Sequence, residues 1–217
     1  MTRSIAGYTL ALEASTYAGS VAVLSGNEVV SSSDVEMRGR DQERLMPAVA
    51  ECVGRLPEGM AAIQRVVCGA GPGSFTSLRI AASIAKGICH ARGLPLFAVS
   101  SLALVVASAG KERGRYLVAL DAMRGESFAA LIDVAADGTI PVAVPIRIVS
   151  RTALAEEAAR AGAEVLDGAP HVSGVARMLD SIVSSGPVDL AAWEPDYGRA
   201  AEAQVKWEAA HGRPLPK

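Results

Sequence analysis

The chain has 217 residues, which is enough for one large domain or two small ones, and half of its residues are hydrophobic whereas 4% are aromatic. It carries 21 basic and 23 acidic residues, a net charge of −2, and the absence of a basic cluster argues against a protein that holds RNA unaided. The three cysteines are isolated and the three histidines are scattered, so the sequence predicts buried, reduced thiols in a cytoplasmic protein and no metal site.

The chain begins with a predicted β-meander. Alternating apolar residues favour strands over residues 8–14, 20–24 and 28–33, with a Gly-Asn turn before the third. Glu13 closes the first strand, where its carboxylate could ligate a cation. We favour the plainer interpretation, an acid at a strand end that faces solvent.

A helix is predicted next, from Asp41 to about Arg55. Pro47 should remove one backbone hydrogen bond and kink this helix. Met46 lies beside the apolar line, and adaptable methionine surfaces suit contacts between subunits. The apolar line consists of Leu45, Val49, Val53 and Leu56.

A glycine-rich turn between a strand at 65–68 and a second strand at 94–99 is the most distinctive feature. A helix follows the turn, with Ser74 or Thr76 as its cap and Gly93 at its end. The turn's N–H groups could cradle a phosphate at the helix start, or the glycines could serve a tight connection; both interpretations stay open. It is neither a P-loop nor the dinucleotide fingerprint. The residues that could contact a phosphate or nucleotide are Gly71, Gly73, Ser74, Thr76 and, from the first strand, Glu13.

The helix over 77–92 presents three kinds of side chain. Ile80, Ile84 and Ile88 form an apolar line at four-residue spacing, which predicts a core-facing side. Small residues on neighbouring positions allow close helix approach, and one of the two sides could belong to another chain. The small residues are Ala81, Ala82 and Ala85, and the polar stripe consists of Arg79, Ser83, Lys86 and His90.

The second half is predicted to repeat this plan in reduced form. The uncharged run 93–110 is interpreted as a strand, a serine cap and a buried helix through Ala109, not as a membrane span. A domain boundary near 109–115 divides the chain into residues 1–110 and 111–217. The predicted elements beyond it are a hairpin of 116–121 and 127–134, a strand at 142–149, and helices at 152–161 and 172–183. The one candidate for a second phosphate loop is Asp-Gly-Ala-Pro at 167–170, which has few of the features of such a loop.

Several segments together resemble one protein family. Gly-Pro-Gly-Ser-Phe-Thr-Ser-Leu-Arg-Ile at 71–80, followed by Ala-Lys-Gly and Leu-Pro-Leu-Phe-Ala-Val-Ser-Ser-Leu, is similar to the signature of the TsaB (YeaZ-like) family. The opening strand at 8–23, Glu-Arg-Leu-Met-Pro at 43–47, Asp-Ala-Met-Arg-Gly-Glu at 121–126 and Pro-Asp-Tyr-Gly-Arg at 195–199 match further family segments in the right order.

The resemblance implies an α/β fold of the duplicated actin-like (RNase H-like, ASKHA) type with two subdomains. It also implies a non-catalytic subunit that pairs with the catalytic paralogue TsaD, and with the ATPase TsaE, for transfer of a threonylcarbamoyl group to the tRNA adenosine next to the anticodon. Contact with tRNA would occur only through the complex, with no membrane involved, and the chain alone would form a homodimer. No cofactor is required by the chain itself, although ATP or ADP with Mg²⁺ could bind at the complex interface.

The family's pairing segments correspond to helices 41–55 and 77–92, which we expect to lie side by side. The tail, 194–217, is expected to pack back on the first half. The residues expected at the partner interface are Leu45, Met46, Val49, Ala81, Ala82, Ala85 and Lys86.

The main alternative is an enzyme in its own right, either an actin-like ATP-dependent kinase or a peptidase-like protein. The sequence has Glu-Ala-Ser at 13–15, where the family usually has Asp-Thr-Ser or a variant, and lacks the His-x-x-x-His metal motif of TsaD. It also lacks a clear second phosphate loop. We therefore predict no intrinsic catalysis.

Overall fold

The computed structural model describes residues 7–37, 43–199 and 210–212, which form an α/β fold with two mixed sheets. Asp41, the predicted helix cap, and most of the tail lie outside these residues. The strands are β1 (Tyr8–Glu13), β2 (Ala18–Ser25), β3 (Glu28–Glu36), β4 (Ile63–Gly69), β5 (Leu96–Val99), β6 (Gly114–Asp121), β7 (Glu126–Val134), β8 (Arg147–Ser150) and β9 (Glu164–Asp167). The α-helices are α1 (Leu45–Gly54), α2 (Phe75–Arg92), α3 (Ser101–Ser108), α4 (Leu154–Ala161) and α5 (Val175–Ser184).

The first sheet has the strand order β3-β2-β1-β4-β5. Its first three strands are the predicted antiparallel meander, and β1, β4 and β5 are parallel because α1 and α2 supply the crossover connections. β1 lies at the centre and is buried on both sides, with Leu10 and Leu12 facing one layer of the core and Ala11 the other.

A single cluster of buried side chains joins the two sheets through α3 and α5. The seven residues 101–107 of α3 are all buried, which explains why this stretch carries no charge. The predicted buried helix is thus confirmed, and it ends at Ser108. Among the described residues, no helix is both long and apolar enough to cross a membrane.

The second sheet has the order β8-β7-β6-β9. The predicted hairpin is confirmed as β6 and β7, and its tip places Met123, Arg124 and Gly125 in the left-handed region. The predicted strand at 142–149 is wrong over most of its length, because only the residues from Arg147 join the ladder. Pro145, which has no N–H to donate, lies two residues before Arg147, where the ladder begins. The strand β9, which pairs in parallel with β6, was missed.

The helix α1 begins later than predicted. The side chain of Glu43 accepts hydrogen bonds from the N–H groups of Leu45 and Met46, which fixes the first turn. Pro47 then occupies the third helical position, where an N–H group would have no partner within the helix. The predicted loss of a hydrogen bond at Pro47 therefore does not arise.

The two helices α1 and α2 lie side by side on one face of the first sheet, as predicted, but α2 is turned differently from the expectation. Ala81, Ala82 and Ala85 are at most 5% exposed and pack into the core. The expectation that these alanines form an exposed pairing face is therefore wrong, and the same holds for Leu45 and Val49, which are fully buried. The predicted core line, Ile80, Ile84 and Ile88, is only half-buried.

The buried alanine side of α2 leads to a stability prediction. Ala85→Arg places an unpaired charge in the core, which costs several kcal/mol, so we expect a large fall in the melting temperature. Ser83→Arg, on the exposed side of the same helix, is the matched control and should melt close to the wild type. Thermal unfolding followed by circular dichroism measures both. Equal melting of the two variants would contradict the packing of the α2 alanines into the core.

Candidate functional site

The glycine-rich turn connects β4 to α2, as the sequence predicts. Ser74 is the N-cap residue of α2, and its hydroxyl accepts a hydrogen bond from the N–H of Ser77 at 3.5 Å. Gly93 ends the helix in the left-handed conformation, with φ of 64°. Thr76 takes no part in the cap and lies exposed in the first turn of α2.

The two glycines at the centre of the turn are enclosed by backbone from other parts of the chain. A Cβ on Gly73 would lie 2.0 Å from the carbonyl oxygen of Ser15, and one on Gly71 would lie 2.1 Å from that of Asp196. Gly71 also has φ of 91°, which disfavours any larger residue. Close backbone approach from both sides is thus what requires glycine at these positions.

Most N–H groups of the turn donate hydrogen bonds to other groups of the chain. Ala70 donates to Val99 at 2.8 Å, Gly71 to the hydroxyl of Ser101 at 3.1 Å, and Ser74 to the carbonyl of Ser15 at 2.7 Å. An anion at this turn would have to compete with these bonds. The geometry therefore favours the tight-connection interpretation over the phosphate cradle, and a nucleotide contact by this turn remains a prediction.

Glu13 is buried beneath the turn, so the expectation of a solvent-facing acid is wrong. One carboxylate oxygen accepts from the N–H of Ser15 at 2.5 Å, and the other accepts from the hydroxyl of Ser101 at 2.8 Å. The second oxygen lies directly over Gly69, and a Cβ on that residue would be 2.0 Å from it. Burial raises the pKa of Glu13, and the hydrogen bonds from Ser15 and Ser101 oppose that shift.

Ser101 links the carboxylate to the turn. Its hydroxyl accepts from Gly71 and donates to Glu13, and its own N–H donates to the carbonyl of Gly71 at 2.9 Å. The end of β1, the glycine turn and the start of α3 are thereby connected in one hydrogen-bonded chain. Both oxygens of Glu13 take part in this connection.

Residues 193–199, which we call the C-terminal strap, cross the same turn. Asp196 donates its N–H to Ala70 at 2.8 Å, and the ring of Tyr197 lies 4.6 Å from that of Phe75. Arg199 then forms an ion pair with Glu126 at 2.9 Å, which ties the strap to the β6–β7 hairpin. The sequence indicated this segment only through its resemblance, which led us to expect that the tail packs back on the first half; Asp196 and Tyr197 make such contacts.

Two separate open depressions lie along the exposed side of α2. The first part has a volume of about 490 Å³ and the second part about 550 Å³. Phe75, which lines the first part, is 41% exposed, and Met46 of α1 is 43% exposed. The first part is lined by Glu43, Phe75, Thr76, Arg79, Ile80, Ser83 and Ile84, and the second by Lys86, Gly87, His90, Asp189, Leu190 and Ala191. We call the two parts together the α2 groove.

Of the residues predicted at the partner interface, Met46 and Lys86 are the two that are not buried in the core. Lys86 lines the groove and donates to the carbonyl of Trp193 in the strap at 3.0 Å. The candidate for a second phosphate loop, 167–170, follows β9, and a Cβ on its Gly168 would lie 3.6 Å from Val105 of α3. Sequence reasoning missed Phe75, Ile80 and Ile84 as groove residues.

The enclosure of Gly73 predicts that a side chain there destabilises the fold before it affects any ligand. Gly73→Val would force the turn away from Ser15, so we expect the free energy of unfolding to fall by about 2 kcal/mol or more. Gly54→Ala, where a Cβ meets nothing within 4 Å, is the control and should be neutral or slightly stabilising. Urea unfolding of the three proteins measures this. Unchanged unfolding of the Gly73→Val protein would contradict the packing of the turn.

The raised pKa of Glu13 predicts a pH dependence. Because burial disfavours the charged form, ionised Glu13 lowers stability above its folded-state pKa, and this cost disappears as the pH falls towards the ordinary value of 4.5. Glu13→Gln removes the titration, so the wild type should gain stability relative to this variant as the pH is lowered from neutral towards 4.5. Urea midpoints of both proteins across this range give the difference. A difference that does not vary with pH would contradict the burial of the carboxyl group.

Comparisons with known proteins agree with this architecture. The family model for TsaD, tRNA N6-adenosine threonylcarbamoyltransferase, matches residues 38–166, which is more than half of the chain. TsaB of Bacillus subtilis, a tRNA threonylcarbamoyladenosine biosynthesis protein, is 26% identical over 91% of this chain and 96% of its own length. TsaB of Escherichia coli is 33% identical, over 55% of this chain and 52% of the relative.

Solved structures show the same fold. YeaZ from Pseudomonas aeruginosa superposes with a TM-score of 0.73 over 88% of this chain and 99% of its own, at 24% identity. An uncharacterized protein with similarity to peptidase YEAZ from Pseudomonas aeruginosa gives a TM-score of 0.74 at 23% identity, over 89% of this chain and all of the other. Together with the motifs at 71–80 and 195–199, the matches show that the chain belongs to the TsaB (YeaZ-like) family, within the broader group that the TsaD model describes.

Proposed function

We propose that this chain is the non-catalytic scaffold subunit of a threonylcarbamoyladenosine-forming complex, in which it pairs with TsaD and works with TsaE. TsaB relatives are described as biosynthesis proteins for this tRNA modification. In this proposal the catalytic paralogue transfers the threonylcarbamoyl group, and tRNA meets this chain only within the complex. The complex would act in the cytoplasm.

The α2 groove is the observation that carries the proposal. Ile80 and Ile84 are only half-buried, and Phe75 and Met46 are more than 40% exposed, so both α1 and α2 present apolar surface to solvent. Contiguous exposed apolar surface of this kind marks contact sites for other proteins. A standard interface buries about 800 Å² on each partner, which two adjacent helices can supply.

The glycine turn supports a scaffold role. In actin-like enzymes such a turn must be open to a phosphate, and the acid of the first strand must be free to act on a metal. Here both oxygens of Glu13 accept hydrogen bonds within the chain, and backbone carbonyls of Ser15 and Asp196 enclose the glycines. ATP or ADP with Mg²⁺ would then bind at the interface with the partner, with Thr76 at the open end of the turn as the nearest exposed candidate.

Reconstitution tests the proposal. The chain should copurify with TsaD of the same organism, and threonylcarbamoyladenosine formation on tRNA by TsaD and TsaE should require it. Formation at the same rate without the chain would contradict the scaffold role.

The alternative is an actin-like kinase, and titration calorimetry separates the two. The isolated chain should give no saturable heat with Mg-ATP. Robust ATP hydrolysis by the chain alone, lost in the Glu13→Gln protein, would establish the kinase instead.

Gly87 supplies a variant that separates pairing from folding. This glycine is exposed in the middle of α2, costs about 1 kcal/mol relative to alanine, and leaves open space within 4 Å of the position that a Cβ would take. Gly87→Leu should therefore keep or raise the melting temperature while it fills the groove, and TsaD binding should weaken by about tenfold or more. Ser184→Leu, on the exposed end of α5, is the control for an added leucine. Unchanged TsaD binding by the Gly87→Leu protein would exclude the α2 groove as the contact.

A further inference from the structure

The C-terminal strap runs along the whole of the glycine turn. Asp196 donates its N–H to the carbonyl of Ala70 at 2.8 Å, and its own carbonyl oxygen lies 2.1 Å from the position that a Cβ on Gly71 would take. The ring of Tyr197 lies 4.6 Å from the ring of Phe75, the first residue of α2. The strap therefore covers the turn from its β4 end to its α2 end.

The strap also contacts the second sheet, at the β6–β7 hairpin. A Cβ on Gly198 would lie 2.5 Å from the ring of Phe128 in β7 and 2.9 Å from Pro72 in the turn, so the strap backbone is packed between the two. Arg199 then forms its ion pair with Glu126 at 2.9 Å, and its guanidinium lies 5.5 Å from the centre of the Phe128 ring. One short segment thus joins the glycine turn of the first sheet to the hairpin of the second.

The two sheets are also connected through α3 and α5, and that connection is made of buried groups. Both helices belong to the apolar cluster that the sheets share, and the buried N–H of Val172 donates to the hydroxyl of Ser20 in β2 at 3.1 Å. The side chains of Arg199 and Glu126, by contrast, are 32% and 43% exposed. A partly exposed ion pair contributes little in water and is screened by salt, so the strap is the weaker of the two connections.

The surroundings of Arg199 also favour a contact that can open. Its Nε atom is buried and has no hydrogen-bond partner among the described residues, and a buried donor without a partner opposes the closed arrangement. Residues 193–199 form no helix or strand, so no ladder of backbone hydrogen bonds holds the strap in place. The ion pair with Glu126 is therefore the point at which the strap is most readily released.

We propose that the C-terminal strap is a releasable clasp. While the pair between Arg199 and Glu126 is formed, the strap holds the β6–β7 hairpin against the glycine turn and keeps the turn covered. When the pair is broken, the strap leaves the turn and the sheets separate on this side, while the core around α3 stays packed and acts as the hinge. This inference goes beyond the proposed scaffold role, because it assigns a conformational switch within the chain itself.

Charge reversal tests the clasp in the full chain. Glu126→Arg and Arg199→Glu should each open the strap, and the two changes combined restore an ion pair of reversed polarity and should close it again. Hydrogen exchange of the Asp196 N–H should become about tenfold faster or more in each single variant and return close to the wild-type rate in the combined variant. Arg151→Glu is the matched control, because Arg151 pairs with Asp121 at 2.7 Å on the same hairpin and both belong to the second sheet region; it should exchange like the wild type.

Tryptophan fluorescence gives a second readout. Trp193 lies in the strap and is half-buried, and the chain has one other tryptophan, Trp207. In a Trp207→Phe chain, the acrylamide quenching constant of Trp193 should rise about twofold when Arg199→Glu is added. With the ion pair intact, quenching should also increase between about 0.05 M and about 1 M NaCl, because salt screens the pair.

Three results would overturn the clasp. The first is wild-type exchange and quenching in both single variants. The second is a combined variant that exchanges as fast as the single ones, since the ion pair would then not be the closing contact. The third is equal acceleration of exchange at Asp196 and in α3, because the strap and the core would then open as one unit. None of these results bears on pairing with TsaD, so failure of the clasp and failure of the proposed function are distinguishable.

Discussion

The fold depends on the close approach of three backbone segments at one point. The carbonyl of Ser15, after the first strand, and the carbonyl of Asp196, in the C-terminal strap, take the places that side chains on Gly73 and Gly71 would fill. Segments from opposite ends of the chain therefore meet at the start of α2. Glu13, buried under the same turn, accepts hydrogen bonds from Ser15 and Ser101. The first strand, the turn and α3 therefore hold one another in place.

The orientation of α2 follows from the size of the side chains beneath it. The face of the first sheet under α1 and α2 is built of large residues such as Leu10, Leu12 and Val23, and these fill the layer. A helix that packs against them at normal density must present small residues, and Ala81 and Ala85 do so. The isoleucines are consequently turned towards the groove, where a partner can cover them.

Most of the secondary-structure elements could be predicted from the sequence. The direction in which particular side chains face could not. Alternation and turn residues located the meander, the hairpin and the unit from β4 to β5, because these patterns are local. The orientation of α2 was predicted in reverse, since Ile80 and Ala81 repeat with the same period and hydrophobicity alone favours the isoleucines for the core. The short strand β9 was missed because its four residues are too few to show an alternating pattern.

The burial of Glu13 could not be predicted from its own neighbours either. It depends on Gly69, which lies beside it on the adjacent parallel strand and leaves room for the carboxylate. A strand-end acid next to a glycine on the paired strand is the signal that would have indicated an inward position. Such a signal becomes visible only when the pairing of β1 with β4 is known.

The same contacts that close the glycine turn also prepare the surface beside it. Phe75 begins α2 directly after the turn, and its ring contacts both Arg79 and Tyr197 of the strap. Because the start of α2 is fixed in this way, little conformational entropy would remain to be lost there in any contact that this surface makes. Arg199 continues the strap to Glu126 in the second half, so the groove rests on both sheets and not on α2 alone. A turn of this kind can thus fix the start of the helix that follows it when its N–H groups and the nearby acid form hydrogen bonds within the chain.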